Sequence, residues 1–135
     1  MFTLSLVTPE KKIVTDMELD DLVVPAFRGE LNILPGHAPL MTTLGTGLLR
    51  YKLKGESEYT AAVISWGYCE VHPTGVNVLA ETAETLEEID RARAEEAQAR
   101  AEKALVDPSL EPDQIKKFQR KLQRARARLS AGQTH

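Results

Sequence analysis

The sequence changes its periodicity once, at Thr85, and this change limits the chain to two structurally different regions. Before Thr85, short runs such as residues 2–8 alternate apolar and polar side chains, which is the two-residue period of a β-strand. After it, Ala, Glu, Arg and Gln dominate, and these residues are strong helix formers. The sequence therefore predicts a two-domain α+β chain, with a β domain over residues 1–84 and a helical domain over residues 85–135.

The β domain contains several short runs typical of strands, separated by turn residues. Beyond residues 2–8, these runs cover residues 21–26, 47–53, 58–65, 68–71 and 75–80. Residues 54–56 (KGE) and 73–75 (PTG) lie where tight hairpin connections belong. Because no helical pattern lies between the runs, no parallel βαβ unit can be built. The spacing favours an antiparallel sandwich or barrel.

The helical domain is predicted to be two helices joined by a connection of about six residues, which is short enough for them to fold back antiparallel. Residues 85–88 (TLEE) have the form of a capping box and predict the start of the first helix. Its apolar stripe is Ala94, Ala97, Ala101 and Leu105, and Asp107-Pro108 ends it. The second helix begins near Pro112 and carries Ile115, Phe118, Leu122, Ala125 and Leu129 on one face. Since alanines bury little apolar area, we expect a marginally stable hairpin that is able to open.

Charge is distributed unevenly between the two regions. Residues 1–84 hold six basic and eleven acidic side chains, whereas residues 85–135 hold eleven basic and nine acidic ones. From Glu111 onward there are seven Lys or Arg against two acidic residues. A basic terminal segment predicts an anionic partner, which could be nucleic acid, an acidic protein face or a phosphate ligand.

The sequence offers no constellation for catalysis or metal binding. The three histidines, His37, His72 and His135, show neither the spacing nor the acidic neighbours of a metal site. Cys69 is the only cysteine, which excludes a disulfide framework and favours a packed side chain over a nucleophile. With no nucleophile–base pair, a small hydrolase acting alone is not supported. We expect a non-catalytic protein that works by binding partners.

The most distinctive segment covers residues 29–40 (GELNILPGHAPL). Two prolines and two glycines predict a long connection between strands, anchored to the core by Leu31, Ile33 and Leu40. The alternative is a rigid loop that presents Glu30 and His37 to a partner surface. Local chemistry alone favours the first interpretation, in which the segment only connects two strands.

Together with L-x-x-G after it and the later runs G-Y-C-E-V and V-x-V-L-A-E-T-A-E, this segment closely resembles the epsilon subunit of bacterial F-type ATP synthases. The resemblance covers nearly the whole chain. Asn32 and Trp66 depart from it, because each stands where the family usually has glycine, and we expect both to change only local loop geometry.

The resemblance implies a β-sandwich of about ten strands at the foot of a rotating central stalk. Its partners would be the gamma subunit and the polar loops of the membrane c-ring, with Glu30 and His37 on the c-ring-facing side. The protein would then be a non-catalytic peripheral subunit on the cytoplasmic face of the bacterial membrane, attached to it only through the complex. In this family the helices either fold as a hairpin or extend among the alpha and beta subunits and inhibit ATP hydrolysis. The basic second helix would then meet acidic segments of the beta subunits.

A second motif points to ATP as a regulatory ligand, with no cofactor required. Residues 89–94 match I/L-D-x-x-R-A, the ATP-binding motif of some family members, and further charged positions match on both helices. The implied ATP-binding residues are Glu84, Ile89, Asp90, Arg93, Ala94, Arg100, Arg124 and Arg128. In an antiparallel hairpin the four arginines could converge on a polyanion, and Asp90 could accept from an adenine or ribose donor.

Two alternatives stand beside the ATP-regulated subunit. The charged residues could form a solvated helix face with intrahelical pairs worth about 0.2–0.5 kcal/mol each. The basic helix could instead grip nucleic acid as a free-standing module. Against this, the segment has no interleaved aromatic residue beyond Phe118 and the β domain is acidic, so we expect no nucleic-acid partner.

Overall fold

The computed structural model describes residues 2–36 and 38–133, and it begins with seven strands. These are β1 (Thr3–Val7), β2 (Lys12–Ala26), β3 (Gly29–Ile33), β4 (Leu40–Leu44), β5 (Gly47–Leu53), β6 (Thr60–His72) and β7 (Gly75–Thr85). A single 3-10 turn (Leu86–Glu88) follows, and then α1 (Arg91–Leu105) and α2 (Pro112–Gln133). The predicted α+β architecture is confirmed.

The strand number differs from the expected ten because β2 and β6 are long and change partners along their length. The first half of β2 pairs with β1, and its second half pairs with β3 and β5. Similarly, β6 pairs first with β5 and then with β4, while β7 follows it throughout. Each long strand therefore takes the place of two of the shorter strands that were expected. Every described pairing is antiparallel except that of β1 with β7, which is parallel.

The sandwich encloses a core made mostly of branched aliphatic side chains. The largest fully buried residues are Leu4, Leu6, Leu22, Ile33, Leu44, Leu49, Ile64, Val24, Val76, Val78 and Cys69. Leu31 and Leu40 are partly buried against this core, so the predicted anchoring of residues 29–40 is confirmed. The segment is nevertheless not one long connection, because Gly29–Ile33 forms β3 on β2 and Leu40 begins β4. The two-residue period of Leu31 and Ile33 was obscured by the flanking glycines and prolines.

The bend of β6 lies at Trp66 and Gly67, between its pairing with β5 and its pairing with β4. Gly67 has φ +153°, and a Cβ there would lie 1.9 Å from the carbonyl oxygen of Leu79. Only glycine fits so close to the neighbouring backbone. Trp66 has φ +54°, which is uncommon for a bulky residue.

The predicted capping box closes only the 3-10 turn. The Thr85 hydroxyl donates to Glu88 Oε1 at 2.9 Å, and the Thr85 amide donates to the same oxygen at 3.3 Å. The chain then extends through Ile89, and α1 begins at Arg91 with Asp90 as its N-cap. The expected helix start at Thr85 is therefore wrong. Aspartate ranks above threonine as an N-cap, which favours the later start.

The two helices form the expected hairpin, with a six-residue connection between Leu105 and Pro112. Of the predicted seam residues, Ala94, Ala101 and Ala125 are buried, and Ala97, Leu105, Ile115, Phe118, Leu122 and Leu129 are half-buried. An ion pair at 3.7 Å between Glu102 and Arg126 joins the helices. The hairpin also packs on the sandwich, since α2 contacts β5 and β6. Neither helix, within the described part of the chain, is both long and apolar enough to span a bilayer.

Candidate ligand site on the helical hairpin

Two adjoining cavities lie where the hairpin meets the end of β7. One, of about 260 Å³, is lined by Glu84, Glu88, Asp90, Arg93, Ala94, Glu96, Ala97, Arg100 and Arg128. The other, of about 240 Å³, is lined by Ala97, Arg100, Ala101, Phe118, Lys121, Arg124 and Arg128. They share Ala97, Arg100 and Arg128, and together they fall within the roughly 300–1,000 Å³ typical of small-molecule sites.

The structure brings seven of the eight sequence-predicted ligand residues to these cavities. They are Glu84, Asp90, Arg93, Ala94, Arg100, Arg124 and Arg128. Ile89 does not line either cavity and lies half-buried in the extended link before α1. Ala94 is buried in the helix seam, where its small side chain leaves room beside Arg93.

Arg128 is already paired in this structure. Its guanidinium donates to Glu84 Oε1, with Nε at 2.6 Å and Nη2 in contact with the same oxygen. Both side chains are 27% exposed, so the pair is partly shielded from solvent. The contact ties α2 to the last residues of β7. An anionic ligand would have to compete with the Glu84 carboxylate for this arginine.

The other three arginines form no ion pair with any residue in the described ranges. Arg93 and Arg100 are exposed, whereas Arg124 is half-buried and its Nε has no hydrogen-bond partner in that part of the chain. Unpaired guanidinium groups around one space attract anions and form bidentate contacts with phosphate oxygens. The smaller cavity suits a polyanion, because its charged lining residues are all basic, namely Arg100, Lys121, Arg124 and Arg128. The larger cavity is lined by carboxylates as well as arginines, so its charge is mixed.

Asp90 has a structural task in addition to its predicted ligand contact. Its Oδ1 accepts from the backbone amide of Arg93 at 3.2 Å, which caps α1. This bond also fixes the start of the helix that carries Arg93 and Arg100. Contact between Asp90 and a nucleotide stays a prediction.

Sequence reasoning missed several residues that line the cavities, namely Glu88, Glu96, Phe118 and Lys121. Phe118 was recognised only as a seam residue, and Glu96 could have been found from its position one helical turn after Arg93. Glu88 accepts from Lys11 Nζ at 2.7 Å, a contact across the fold that no local pattern reveals. Lys11 first, and then Thr85, lower the pKa of the Glu88 carboxyl.

Glu30, one of the two predicted partner-binding residues, does not line either of these cavities. Glu30 is on β3, where its carboxylate accepts from Arg50 Nη2 at 2.9 Å and remains 60% exposed. His37 lies outside the described residues. The interaction of Glu30 and His37 with a partner stays a prediction.

Cys69 is fully buried in β6, and burial raises the pKa of its thiol to about 12. The thiol is therefore protonated at neutral pH and is a poor nucleophile. Within residues 2–36 and 38–133, no group of three or more His, Cys, Asp or Glu side chains could hold a metal ion.

Comparison with protein families assigns both regions of the chain. Residues 1–86 match the family described as ATP synthase, Delta/Epsilon chain, beta-sandwich domain. Residues 87–133 match ATP synthase, Delta/Epsilon chain, long alpha-helix domain. The chain belongs to the ATP synthase delta/epsilon family.

Relatives within this family support the predicted resemblance to the epsilon subunit. The ATP synthase epsilon chain of Bdellovibrio bacteriovorus is 50% identical over 130 residues, which is 96% of this chain and 93% of that one. That of Koribacter versatilis is 49% identical over 104 residues, covering 77% of this chain and 71% of its own. The resemblance stated from the sequence is thereby confirmed.

Solved structures show the same fold at low sequence identity. A chain of the Euglena gracilis mitochondrial ATP synthase, in a structure of its OSCP, F1 and c-ring, has a TM-score of 0.86 at 21% identity. The match covers 99% of this chain and 81% of that one. A chain from the Tetrahymena thermophila mitochondrial ATP synthase central stalk and c-ring has a TM-score of 0.66 at 16% identity, with 96% and 95% covered.

Proposed function

We propose that this chain is a central-stalk subunit of a proton-translocating F-type ATP synthase. It couples rotation to the c-ring through the sandwich and inhibits ATP hydrolysis through its helices, and ATP binds the folded hairpin as a regulator. It has no catalytic residue of its own. It acts on the cytoplasmic face of the bacterial membrane, held there by the gamma subunit and the c-ring, and its helices engage the alpha and beta subunits. Membership of the epsilon-chain family supports this assignment.

The observation that carries the regulatory part is that arginines from both helices line two adjoining cavities. Arg93 and Arg100 come from α1, while Arg124 and Arg128 come from α2. Extension of the hairpin separates the two pairs, so only the closed form offers all four to a polyphosphate. A ligand shifts a conformational equilibrium by its difference in affinity for the two states. ATP therefore stabilises the closed hairpin.

The hairpin has the low internal cohesion that such a switch needs. Up to Ala131, its fully buried side chains are Ala94, Ala101, Ala125 and Ala131, and alanine contributes little apolar area. When α2 leaves, Arg128 also loses Glu84. The basic side chains of α2 then become available to an acidic surface on the beta subunits, which stabilises the extended, inhibitory state.

The ATP site is tested by titrating ATP into the full-length subunit and following binding by calorimetry and helix stability by circular dichroism. The variant Arg124→Ala/Arg128→Ala should bind much more weakly and lose the thermal stabilisation. Lys116→Ala/Lys117→Ala is the matched control, since it removes the same charge from exposed positions of α2 that line neither cavity. Absence of binding at millimolar ATP, or equal binding by the arginine variant, would refute the proposal that ATP regulates the hairpin.

The proposed inhibition of ATP hydrolysis by the helices, called the brake below, is tested in a complex reconstituted with alpha, beta and gamma subunits. Complexes that contain residues 1–84 alone should hydrolyse ATP faster than those with the full chain, provided that the truncated subunit still binds gamma. Unchanged hydrolysis would show that the helices do not inhibit.

The c-ring contact is tested separately, in membranes that hold the whole enzyme. Glu30→Ala/His37→Ala should reduce ATP-driven proton pumping relative to the hydrolysis rate, because coupling at the c-ring is weakened. Glu58→Ala, a change at another exposed carboxylate of the sandwich, is the control. Equal coupling in both variants would remove Glu30 and His37 from the interface.

A further inference from the structure

Trp66, the only tryptophan of the chain, lies where α2 meets the sandwich. It occupies the bend of β6 with φ +54°, a conformation that glycine adopts freely and a bulky side chain adopts under strain. Strained backbone persists when the surrounding contacts favour it. The contacts of this indole therefore indicate what the residue does.

A positively charged side chain of α2 lies over the face of the indole ring. The guanidinium carbon of Arg120 lies 4.5 Å from the centroid of the ring, inside the roughly 6 Å range of a cation–π contact. Arg120 forms no ion pair with any described residue, so the cation–π contact with this ring is the interaction that its charge makes with the sandwich. The indole also lines a cavity of about 460 Å³ together with the α2 residues Gln123, Arg126 and Ala127.

The indole nitrogen does not explain the position of the ring. Trp66 Nε1 is buried and has no hydrogen-bond partner among residues 2–36 and 38–133. Burying an unpaired N–H carries a free-energy penalty, which the stacking of the ring under α2 has to offset. The ring is therefore positioned by its face and not by its polar edge.

We propose that Trp66 is a ligand-independent docking residue that latches α2 onto the sandwich through Arg120. A second contact, Glu84 with Arg128, acts eight residues further along the same helix, or roughly 12 Å at the rise of an α-helix. Two separated attachment points prevent α2 from pivoting about either one. Extension of the helices has to break both, so the latch biases this chain toward the folded hairpin even without ATP. That consequence for inhibition rests on the proposed function, whereas the latch itself does not.

The latch is tested in the full-length protein with Arg120→Ala, and Lys117→Ala is the matched control on the same helix. Because Trp66 is the only tryptophan, the tryptophan fluorescence reports on the surroundings of this one ring. Arg120→Ala should shift the emission to longer wavelength and increase quenching by acrylamide, since the ring becomes more exposed. Amide hydrogen exchange over α2 should become about two- to fivefold faster, the fold-change equivalent to an exposed cation–π contact. Lys117→Ala should change neither.

A second variant, Trp66→Phe, keeps an aromatic ring with a weaker cation–π attraction and should also accelerate exchange over α2. Protection of the Cys69 thiol, which is buried in the same strand, verifies that the sandwich remains folded. The double variant Trp66→Phe/Arg120→Ala should exchange no faster than Arg120→Ala alone, since both changes remove one contact. Wild-type exchange over α2 in both single variants would overturn the latch.

The latch and the brake fail in different ways. Suppose that hydrogen exchange over α2 rises as expected, but neither Arg120→Ala nor removal of the helices changes the rate of ATP hydrolysis. The proposed inhibition is then wrong and the latch stands. If removal of the helices relieves inhibition but α2 exchange does not depend on Arg120, the latch is wrong and the inhibition stands.

Discussion

The sandwich and the hairpin differ in what they bury. The sandwich encloses eleven large, fully buried side chains, all of them Leu, Ile, Val or Cys. Up to Ala131, the fully buried side chains of the hairpin are the alanines Ala94, Ala101, Ala125 and Ala131, and its larger apolar side chains are only half-buried. Because the free energy of burial scales with apolar area, the two regions hold together with very different strength. Under the proposed function, the sandwich is the base of the molecule and the hairpin is an arm that can leave it.

The contacts between base and arm fall into two groups, those made by α2 and that of the link before α1. Two side chains of α2 attach it to the sandwich through charge, Arg128 to Glu84 and Arg120 to the face of Trp66. The link before α1 is held by Lys11 and Glu88, a pair that does not involve α2 at all. In the proposed opening of the hairpin this anchor can stay intact, so residues 86–90, the pivot segment, remain attached to the sandwich while the helices move.

The largest expected effect comes from removing volume from the base. Ile64→Ala should destabilise the protein by about 2–5 kcal/mol, since Ile64 is fully buried and the change leaves a cavity. Leu122→Ala in the half-buried seam should cost about 1 kcal/mol, since less area leaves an apolar environment. Urea unfolding followed by circular dichroism measures both. Similar losses for the two variants would contradict the division into base and arm.

A smaller effect is expected at the N-cap of α1. Asp90→Ala should destabilise the arm by about 1 kcal/mol, because the amide of Arg93 loses its acceptor. Asp90→Ser restores the acceptor and should recover most of the loss. Hydrogen exchange over the first turn of α1, compared with exchange in β6, measures whether the change stays within the arm. Equal acceleration in β6 would show that arm and base unfold together.

The same pair of variants separates the two tasks of Asp90. If Asp90→Ser recovers helix stability but not ATP affinity, the carboxylate contacts the ligand in addition to capping the helix. If both recover together, Asp90 acts on the ligand only by positioning Arg93.

Much of the base was predictable from local pattern, and its failures have identifiable causes. Alternation located β1 and β5 correctly, because in both strands a buried residue alternates with a more exposed one. The first half of β2 was missed because it contains exposed polar residues such as Lys12, Thr15 and Asp16. Its strand conformation comes from pairing with β1, which is tertiary information.

The site was predictable in its residue types and less so in its connections. The spacing of the arginines on each helix predicted that Arg93, Arg100, Arg124 and Arg128 converge, and the structure places them along two adjoining cavities that share Arg100 and Arg128. Their contact with a ligand stays a prediction. The pairing of Arg128 with Glu84 spans 44 residues, and no helix periodicity encodes it. Trp66 was recognised only as a departure from glycine, because its contact with Arg120 exists only after α2 docks.

The attachment of α2 at Glu84 offers the next test of how arm and base are joined. Glu84→Gln should reduce the stability of the docked arm by about 0.5–1 kcal/mol, since the Arg128 pair is only partly shielded. The loss should shrink in about 1 M salt, where the screening length is about 3 Å. Glu96→Gln is the control, because Glu96 lines the same cavity and forms no ion pair with a described residue. A salt-independent loss would mean that the contact is not electrostatic.

The smallest effect is expected at the pivot, where it should depend on pH. Hydrogen bonds from Lys11 and then from Thr85 lower the pKa of the Glu88 carboxyl below its usual 4.5. A carboxyl whose pKa is lowered on folding contributes stability above its unfolded pKa and loses that contribution as the pH falls through the folded pKa. Wild type should therefore be more stable than Glu88→Gln near neutral pH.

This difference should vanish as the pH falls below 4.5 and through the lowered pKa of Glu88, because protonated Glu88 and glutamine are then equally uncharged. Thermal unfolding measured across that range gives the result. Glu87→Gln is the control, since Glu87 is exposed and forms no ion pair within the described ranges. Lys11→Ala should abolish most of the pH dependence, because Lys11 is the largest cause of the shift. If it does not, the pivot is held by the Thr85 capping bonds, and the link would remain fixed to β7 even without the sandwich turn that carries Lys11.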